Sequence, residues 1–155
     1  METALGKNVL LVERFDRERL KDGWGRKAFV SALTMFELGE RMARHASYEL
    51  LAEIIRRRFQ HLRQDLRELF GRLTFNIPCG NTDVHARNHA AFWDGKNLRL
   101  TPAYNVCPQS RTGEEAGQGM RIIGTNNRSQ LAPCLDALLS FFYPTWRREL
   151  SFCSK

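Results

Sequence analysis

Residues 82–88, with the sequence TDVHARN, carry the side chains of this chain whose types and spacing best suit chemistry. Asp83 and Asn88 stand five positions apart, which is the D-x-x-x-x-N spacing of a catalytic loop for phosphoryl transfer. In such a loop the aspartate accepts the proton of the attacking hydroxyl group, and the asparagine holds a magnesium ion. The spacing alone arises often by chance, so its interpretation depends on the elements around it.

Two predicted elements flank this segment. A long amphipathic helix precedes it, because apolar residues recur there at helical spacing: Leu62, Leu66, Leu69, Phe70, Leu73 and Ile77. Pro78 and Gly80 are expected to end that helix. Two short strands, residues 88–93 and 97–101, are predicted to follow, joined by an Asp-Gly turn. A helix and a hairpin would hold the loop from both sides.

The rest of the chain gives weaker patterns. Ser47 is predicted to cap a helix that runs to about Arg58. The other predicted segments are a short buried strand at 8–15, an exposed loop at 16–25, a partly helical stretch at 28–44, a flexible loop at 108–119 and a helix at 129–142. The sequence therefore predicts a mainly α fold of the α+β type.

Composition narrows the class of protein. The 155 residues are enough for one domain, and no apolar run approaches the roughly 20 residues of a membrane span. No C-x-x-C pair occurs among the four cysteines, so a reducing cytoplasm is the expected location. The net charge is +7, with arginine clusters at 56–58 and 147–148. These clusters could contact phosphates, or they could be solvated helix faces.

Several motifs, taken in order, resemble the C-terminal region of HipA-type toxin kinases, the toxin partners in bacterial type II toxin–antitoxin modules. The matching segments are 12–17 (VERFDR), 75–76 (FN), 81–89 (NTDVHARNH), 100–104 (LTPAY) and 120–131 (MRIIGTNNRSQL). The resemblance implies the C-lobe of a HipA/protein-kinase-like fold over residues 1–141, with a tail of uncertain origin at 142–155. It also implies phosphate transfer from ATP to a protein hydroxyl, with ATP and Mg²⁺ as cofactors and a DNA-binding antitoxin as partner.

The resemblance assigns roles to the loop residues. Asp83 would be the catalytic base, and Asn88 would bind magnesium. His85 and Arg87 would shape the catalytic loop and its phosphate environment. We expect the side chains of Asp83, Asn88 and Asn105 to converge on one cleft.

The resemblance also implies a nucleotide hinge and a second metal position. Glu13, Arg14 and Phe15 would meet the adenine of ATP through backbone groups and an apolar contact. Asn105 stands where the family carries an aspartate that chelates the metal. An asparagine offers one neutral oxygen where a carboxylate offers charge and two oxygens, so we expect weaker metal binding.

The chain begins at the hinge-like segment, so a glycine-rich loop and a phosphate-pairing lysine are expected to be missing. A separate N-lobe chain is then a possible partner, and Val9 to Val12 are candidates for an apolar surface that such a lobe would cover. Two other functions stay open. One is a catalytically dead fragment or pseudokinase that acts only through antitoxin or partner contacts. The other is a small basic nucleic-acid-binding protein, although no signature of that class is present.

Overall fold

The computed structural model describes residues 2–4, 6–110 and 116–142 of the chain. Its α-helices are α1 (Ala32–Met35), α2 (Tyr48–Arg58), α3 (Leu62–Asn76) and α4 (Leu131–Phe142). Its strands are β1 (Glu2–Ala4), β2 (Lys7–Val9), β3 (Arg17–Leu20), β4 (Gly23–Arg26), β5 (Phe29–Ser31), β6 (Ala90–Trp93) and β7 (Leu98–Leu100). Short 3-10 helices cover Glu40–His45 and Ala86–Asn88. This mixture confirms the predicted α+β class.

The strands form small antiparallel sheets. β1 pairs with β2 and β3 with β4, while β5, β6 and β7 form a three-stranded sheet in that order. In the last sheet Val30 lies opposite Ala91, and Ala91 lies opposite Leu100. The predicted hairpin after the TDVHARN loop is confirmed as β6 and β7, which are joined at Asp94-Gly95. Gly95 has a φ of 97°, a conformation that glycine adopts without a Cβ penalty.

The helix boundaries follow the expected capping chemistry. The Ser47 hydroxyl accepts a hydrogen bond from the backbone N–H of Leu50 at 3.1 Å, which confirms it as the N-cap of α2. The predicted stripe of α3 is confirmed at Leu66, Leu69 and Leu73, which are buried, but not at Leu62 in the first turn, which is 41% exposed. The chain leaves α3 at Asn76, before Pro78, as the sequence predicts.

The core lies where α2, α3 and α4 pack together against the three-stranded sheet. Its fully buried large side chains include Tyr48, Leu51, Ile55, Leu69, Leu73, Met120, Ile122 and Phe141. Each large apolar side chain taken out of water contributes about 1.5–3 kcal/mol. The core therefore holds α3, which ends at the predicted catalytic loop, against the hairpin that follows this loop.

Arg56, within the first arginine cluster, has a structural role. Its guanidinium donates to the backbone carbonyls of Ser140 and Phe141 in the last turn of α4 and pairs with Glu53 at 2.6 Å. A cation near the carbonyl end of a helix is stabilising because the carbonyl dipoles point toward it. Arg57 and Arg58 are exposed. A solvated helix face therefore describes these two residues but not Arg56.

Two sequence predictions about the N-terminal part are wrong. Residues 16–25 are not a loop, because β3 and β4 form a hairpin there with Arg19 opposite Trp24. Residues 8–15 are not a buried strand, because β2 ends at Val9 and Leu10 to Val12 are exposed. A continuous run of apolar residues in a sequence does not show whether another part of the chain packs over it. The exposure of Leu10, Leu11 and Val12, at 72–76%, does confirm the predicted uncovered apolar surface.

An irregular segment, residues 116–130, packs against the TDVHARN loop. The Gly119 backbone N–H donates to the Thr82 carbonyl at 3.1 Å, and Arg121 exchanges backbone hydrogen bonds with Ala46 and Tyr48. A Cβ on Gly119 would lie 2.8 Å from the Val84 carbonyl oxygen. This approach is closer than real Cβ contacts allow, so glycine is required here for a steric reason.

A pair of glycine substitutions tests this contact. Gly119→Ala should destabilise the chain by about 1–3 kcal/mol, because backbone must move to relieve the clash. Gly71→Ala is the matched control: Gly71 lies within α3 with open space around its Cα, so alanine should stabilise the chain by about 1 kcal/mol. Urea unfolding monitored by circular dichroism measures both. Equal effects of the two substitutions would contradict the close approach at Gly119.

Candidate active site

Asn81 fixes the start of the TDVHARN loop. Its side-chain amide is buried and donates to the Asn76 side-chain oxygen at 3.0 Å and to the Asn105 carbonyl at 3.1 Å. Gly80, at a φ of 71°, makes the turn between α3 and the loop. One amide thus ties the end of α3 to the loop and to the segment that follows β7. Asn81 belongs to the family motif at 81–89, but the sequence did not predict that its side chain connects these segments by hydrogen bonds.

The loop closes on itself through Asn88. The Asn88 side-chain oxygen accepts a hydrogen bond from the backbone N–H of His85 at 3.0 Å. The backbone N–H of Asn88 donates to the His85 carbonyl at 2.9 Å. Val84 and Ala86 point into the core, so Asp83 is turned outward and is exposed. Within the described residues the Asp83 carboxylate has no hydrogen bond or ion pair. It is therefore accessible to a substrate from outside.

Arg87 is held away from the loop centre. Its guanidinium pairs with Glu40 of the first 3-10 helix, and its backbone carbonyl accepts the Tyr104 hydroxyl at 2.6 Å. Tyr104 therefore links the loop to the segment after β7. The phosphate-facing role predicted for Arg87 would require the contact with Glu40 to open.

His89, which follows Asn88 directly, is buried. Its ring meets the Tyr48 ring edge-on with centroids 5.3 Å apart, and neither ring nitrogen has a hydrogen-bond partner among the described residues. Burial lowers the pKa of His89 to about 3, and the positive charges of Arg72 and His85 act in the same direction. The imidazole is neutral at pH 7 and acts as a packing group beneath the loop.

The hinge-like residues pack onto the hairpin. The Phe15 ring lies 6.0 Å from that of Phe92 on β6 and 5.7 Å from that of Tyr104. Arg14 donates two hydrogen bonds to the Asp16 carboxylate, at 2.8 and 2.6 Å. These bonds, followed by the Arg14 charge, lower the pKa of Asp16. The segment is thereby fixed against the element that carries Asn105.

Two adjoining cavities contain most of the predicted site residues. The first, here called the hinge cleft, has a volume of about 790 Å³, and its lining includes Glu13, Arg14, Phe15 and Asn105. The second, about 280 Å³, is lined by Asn88. The two share three lining residues: Ala103, Tyr104 and Val106.

The structure thus brings Asn105 to the hinge and Asn88 to a neighbouring wall. Asp83, His85 and Arg87 lie on the loop beyond these walls and are not among the lining residues of either cavity. The convergence of Asp83 with the two asparagines stays a prediction.

The donor set fits magnesium poorly. Asn88 already uses its side-chain oxygen to accept the His85 N–H, and Asn105 offers one neutral oxygen. No group of three or more His, Cys, Asp or Glu side chains within the described residues could hold a metal ion. Asn105 has a φ of 55°, a left-handed conformation that asparagine and aspartate tolerate better than most residues. The backbone therefore accommodates either residue, while the side chain present lacks the charge that magnesium favours.

The sequence model of the HipA-like C-terminal domain matches residues 1–151. The chain belongs to this family. A curated protein described as "Putative kinase Y4mE", from Sinorhizobium fredii (strain NBRC 101917 / NGR234), is 28% identical over 109 residues, which are 67% of this chain and 26% of that protein. HipA-like membership thus confirms the resemblance read from the sequence. The match runs past residue 141, and the boundary placed there stays a prediction.

A solved relative supports the fold. The HipA, HipB and operator DNA complex of the Shewanella oneidensis MR-1 toxin–antitoxin system contains a chain that matches with a TM-score of 0.62 at 20% identity. The match covers 81% of this HipA-like chain and 35% of that chain, so the present chain spans about a third of its length. Within the described residues no helix is both long and apolar enough to cross a membrane.

Proposed function

We propose that this HipA-like chain is the C-terminal lobe of a protein serine/threonine kinase and forms one wall of an ATP site. The observation that carries the proposal is the hinge cleft, whose lining includes both residues 13–15 and Asn105. The family resemblance implies separate roles for residues 13–15 and for Asn105. Phe15 packs on Tyr104, the residue directly before Asn105, which supports a shared cavity. A cleft of about 790 Å³ has room for a nucleotide.

The chemistry of the cleft suits an adenine ring. Leu10, Val12 and Val106 offer exposed apolar surface to a flat aromatic ring. The backbone of residues 10–13 makes no hydrogen bond within the described parts of the chain, so its N–H and C=O groups are free to read the edge of a base. Apolar walls with a few convergent polar groups are typical of cofactor sites.

The loop would supply the chemistry. Asp83, which is exposed and has no partner among the described residues, would accept the proton of a protein hydroxyl as that oxygen attacks the terminal phosphate. Asn88 would hold the loop closed around His85 and face the phosphates. His85 and Arg87 would shape this loop.

The proposal includes partners beyond this chain. The Shewanella relative is named in complex with HipB and operator DNA, and we propose an antitoxin of that kind as a partner here. The exposed surface of Leu10, Leu11 and Val12 would meet a second lobe that completes the nucleotide site. The present chain spans 26% of the Y4mE protein, so the longer relatives have ample sequence for such a lobe.

A charge placed in the hinge cleft tests the nucleotide site. Val12→Asp should weaken adenosine binding about tenfold or more, because the ring would lose apolar contact and meet a carboxylate. Leu135→Asp is the matched control, since Leu135 is equally exposed but lies on α4, away from the cleft. Isothermal titration with adenosine measures both variants. Equal affinities of the two variants, or no adenosine binding by the unaltered chain at millimolar concentration, would contradict the proposal.

A second candidate is a lobe that contacts partners without transferring phosphate. Asn105 favours it, because a neutral amide stands at the position where the family resemblance implies a carboxylate that chelates the metal. Transfer of labelled phosphate from ATP to a protein by the purified 155-residue chain would exclude this candidate.

A further inference from the structure

A second binding feature lies between α3 and β7. It is a groove of about 810 Å³, here called the arginine groove, whose lining includes Arg63, Arg67, Arg72 and Arg99. Two acidic residues, Asp65 and Glu68, also line it. It shares only Pro102 with the lining of the hinge cleft, while Glu68 and Arg72 also line the smaller cavity that contains Asn88.

Three arginines form the rim of the groove. Arg63, Arg67 and Arg99 are exposed and make no salt bridge within the described residues. Arg63 and Arg67 are four residues apart on α3, where like charges destabilise a helix by about 0.2–0.5 kcal/mol. Arg99, on the neighbouring strand, adds a third positive charge. An anion between these side chains would relieve their repulsion.

Two residues at the floor of the groove each have a buried polar atom that has no hydrogen-bond partner within the described residues. Arg72 donates through Nε to Glu68 at 2.8 Å and through Nη2 to the Thr101 carbonyl, but its Nη1 has no partner. Asp65 accepts the Leu100 N–H at 3.2 Å through Oδ1, and its Oδ2 has no partner. Both residues are more than nine-tenths buried. A buried polar group left unpaired costs about 1–3 kcal/mol, so a ligand that pairs with it is favoured.

One of the two floor atoms suits an oxyanion. Arg72 Nη1 is a charged donor that matches a phosphate oxygen. Asp65 is acidic, and burial raises its pKa while the Leu100 N–H and the charges of Arg99, His61 and Arg72 lower it. Glu68 is already paired with Arg72, so its charge is partly neutralised. The groove therefore offers a charged donor at its floor and three exposed cations at its rim.

We propose that the arginine groove binds a phosphoryl group through the Arg72 floor and the rim formed by Arg63, Arg67 and Arg99. This goes beyond the proposed ATP site, because the three rim arginines line neither the hinge cleft nor the Asn88 cavity. The group could be free phosphate or the phosphorylated side chain of a protein, because both present the same tetrahedral oxyanion.

Removing two rim charges tests the groove. Arg67→Ala combined with Arg99→Ala should weaken the binding of inorganic phosphate about tenfold or more, since hydrogen bonds to charged groups contribute about 1.5–3 kcal/mol each. The matched control combines Arg41→Ala with Arg58→Ala, which removes the same charge from exposed positions outside the groove lining. All four side chains are exposed, so the thermal unfolding midpoint should stay unchanged.

Binding is measured by isothermal titration at moderate salt, with inorganic phosphate in one arm and a phosphoserine peptide with its unphosphorylated form in the other. Tighter binding of the phosphopeptide would identify a protein side chain as the source, and equal binding would identify free phosphate. The proposal is overturned by equal losses in both double variants, by unchanged phosphate binding in the groove variant, or by no phosphate binding to the unaltered chain at millimolar concentration. Adenosine titration of the groove variant separates the two sites, since that affinity should not change.

Discussion

Lowering the pH from 7 to 5 should destabilise this HipA-like chain by about 2 kcal/mol through His89. The pKa of His89 is about 3 in the folded chain, against about 6.5 for a histidine in an unfolded chain. Between those values the unfolded state binds a proton that the folded state does not bind. Stability is therefore full above pH 6.5 and falls by about 1.4 kcal/mol for each pH unit below it.

The neighbours of His89 account for the size of the effect. Its ring is enclosed by Tyr48 and the core, and Arg72 and His85 add positive charge nearby. Asp65 acts in the opposite direction, because a raised carboxyl pKa lets the folded state take up a proton first as the pH falls. A substitution at His89 is therefore needed to separate its contribution from that of Asp65.

Urea unfolding at pH 5, 6 and 7 measures this slope. His89→Phe removes the titration and should flatten the slope, whatever its effect on stability at pH 7. His61→Gln is the control, because it removes an exposed histidine in place of the buried one. A slope that persists in His89→Phe would show that other groups control the acid response.

Asn105→Asp should raise the affinity for ATP about tenfold or more in the presence of magnesium, and not in its absence. The aspartate adds a negative charge and a second oxygen at the wall of the hinge cleft. The φ of 55° at position 105 suits either residue, so the substitution should leave the fold intact.

Titrations with ATP, with and without magnesium, measure this gain. Asn8→Asp is the control, because it makes the same change in charge at an exposed position outside the cleft lining. An equal gain in both variants, or a gain independent of magnesium, would mean that position 105 is not at a metal site.

Local patterns explain why part of the fold could be predicted. The stripe of α3 and the turn at Asp94-Gly95 are local signals, and both were confirmed. The hairpin of β3 and β4 was missed because its strands, RERL and GWGR, expose most of their side chains. A strand without one buried face does not show the alternation that identifies it.

Residues of the candidate active site could be predicted only where they belong to a recognisable sequence motif. The spacing of Asp83 and Asn88 indicated the loop, and resemblance indicated residues 13–15 and Asn105. Tertiary packing decides the rest. No local pattern shows that Asn81 ties the loop to the segment after β7. The arginine groove likewise forms only when β7 packs on α3.

The most direct test of the proposed nucleotide site is a titration of the chain with adenosine, followed by methyl NMR of its leucine and valine side chains. We expect chemical-shift changes at Leu10, Val12 and Val106, which line the hinge cleft, and none at Leu135 on α4. Shifts confined to methyl groups outside the cleft, or no shifts at saturating adenosine, would contradict it.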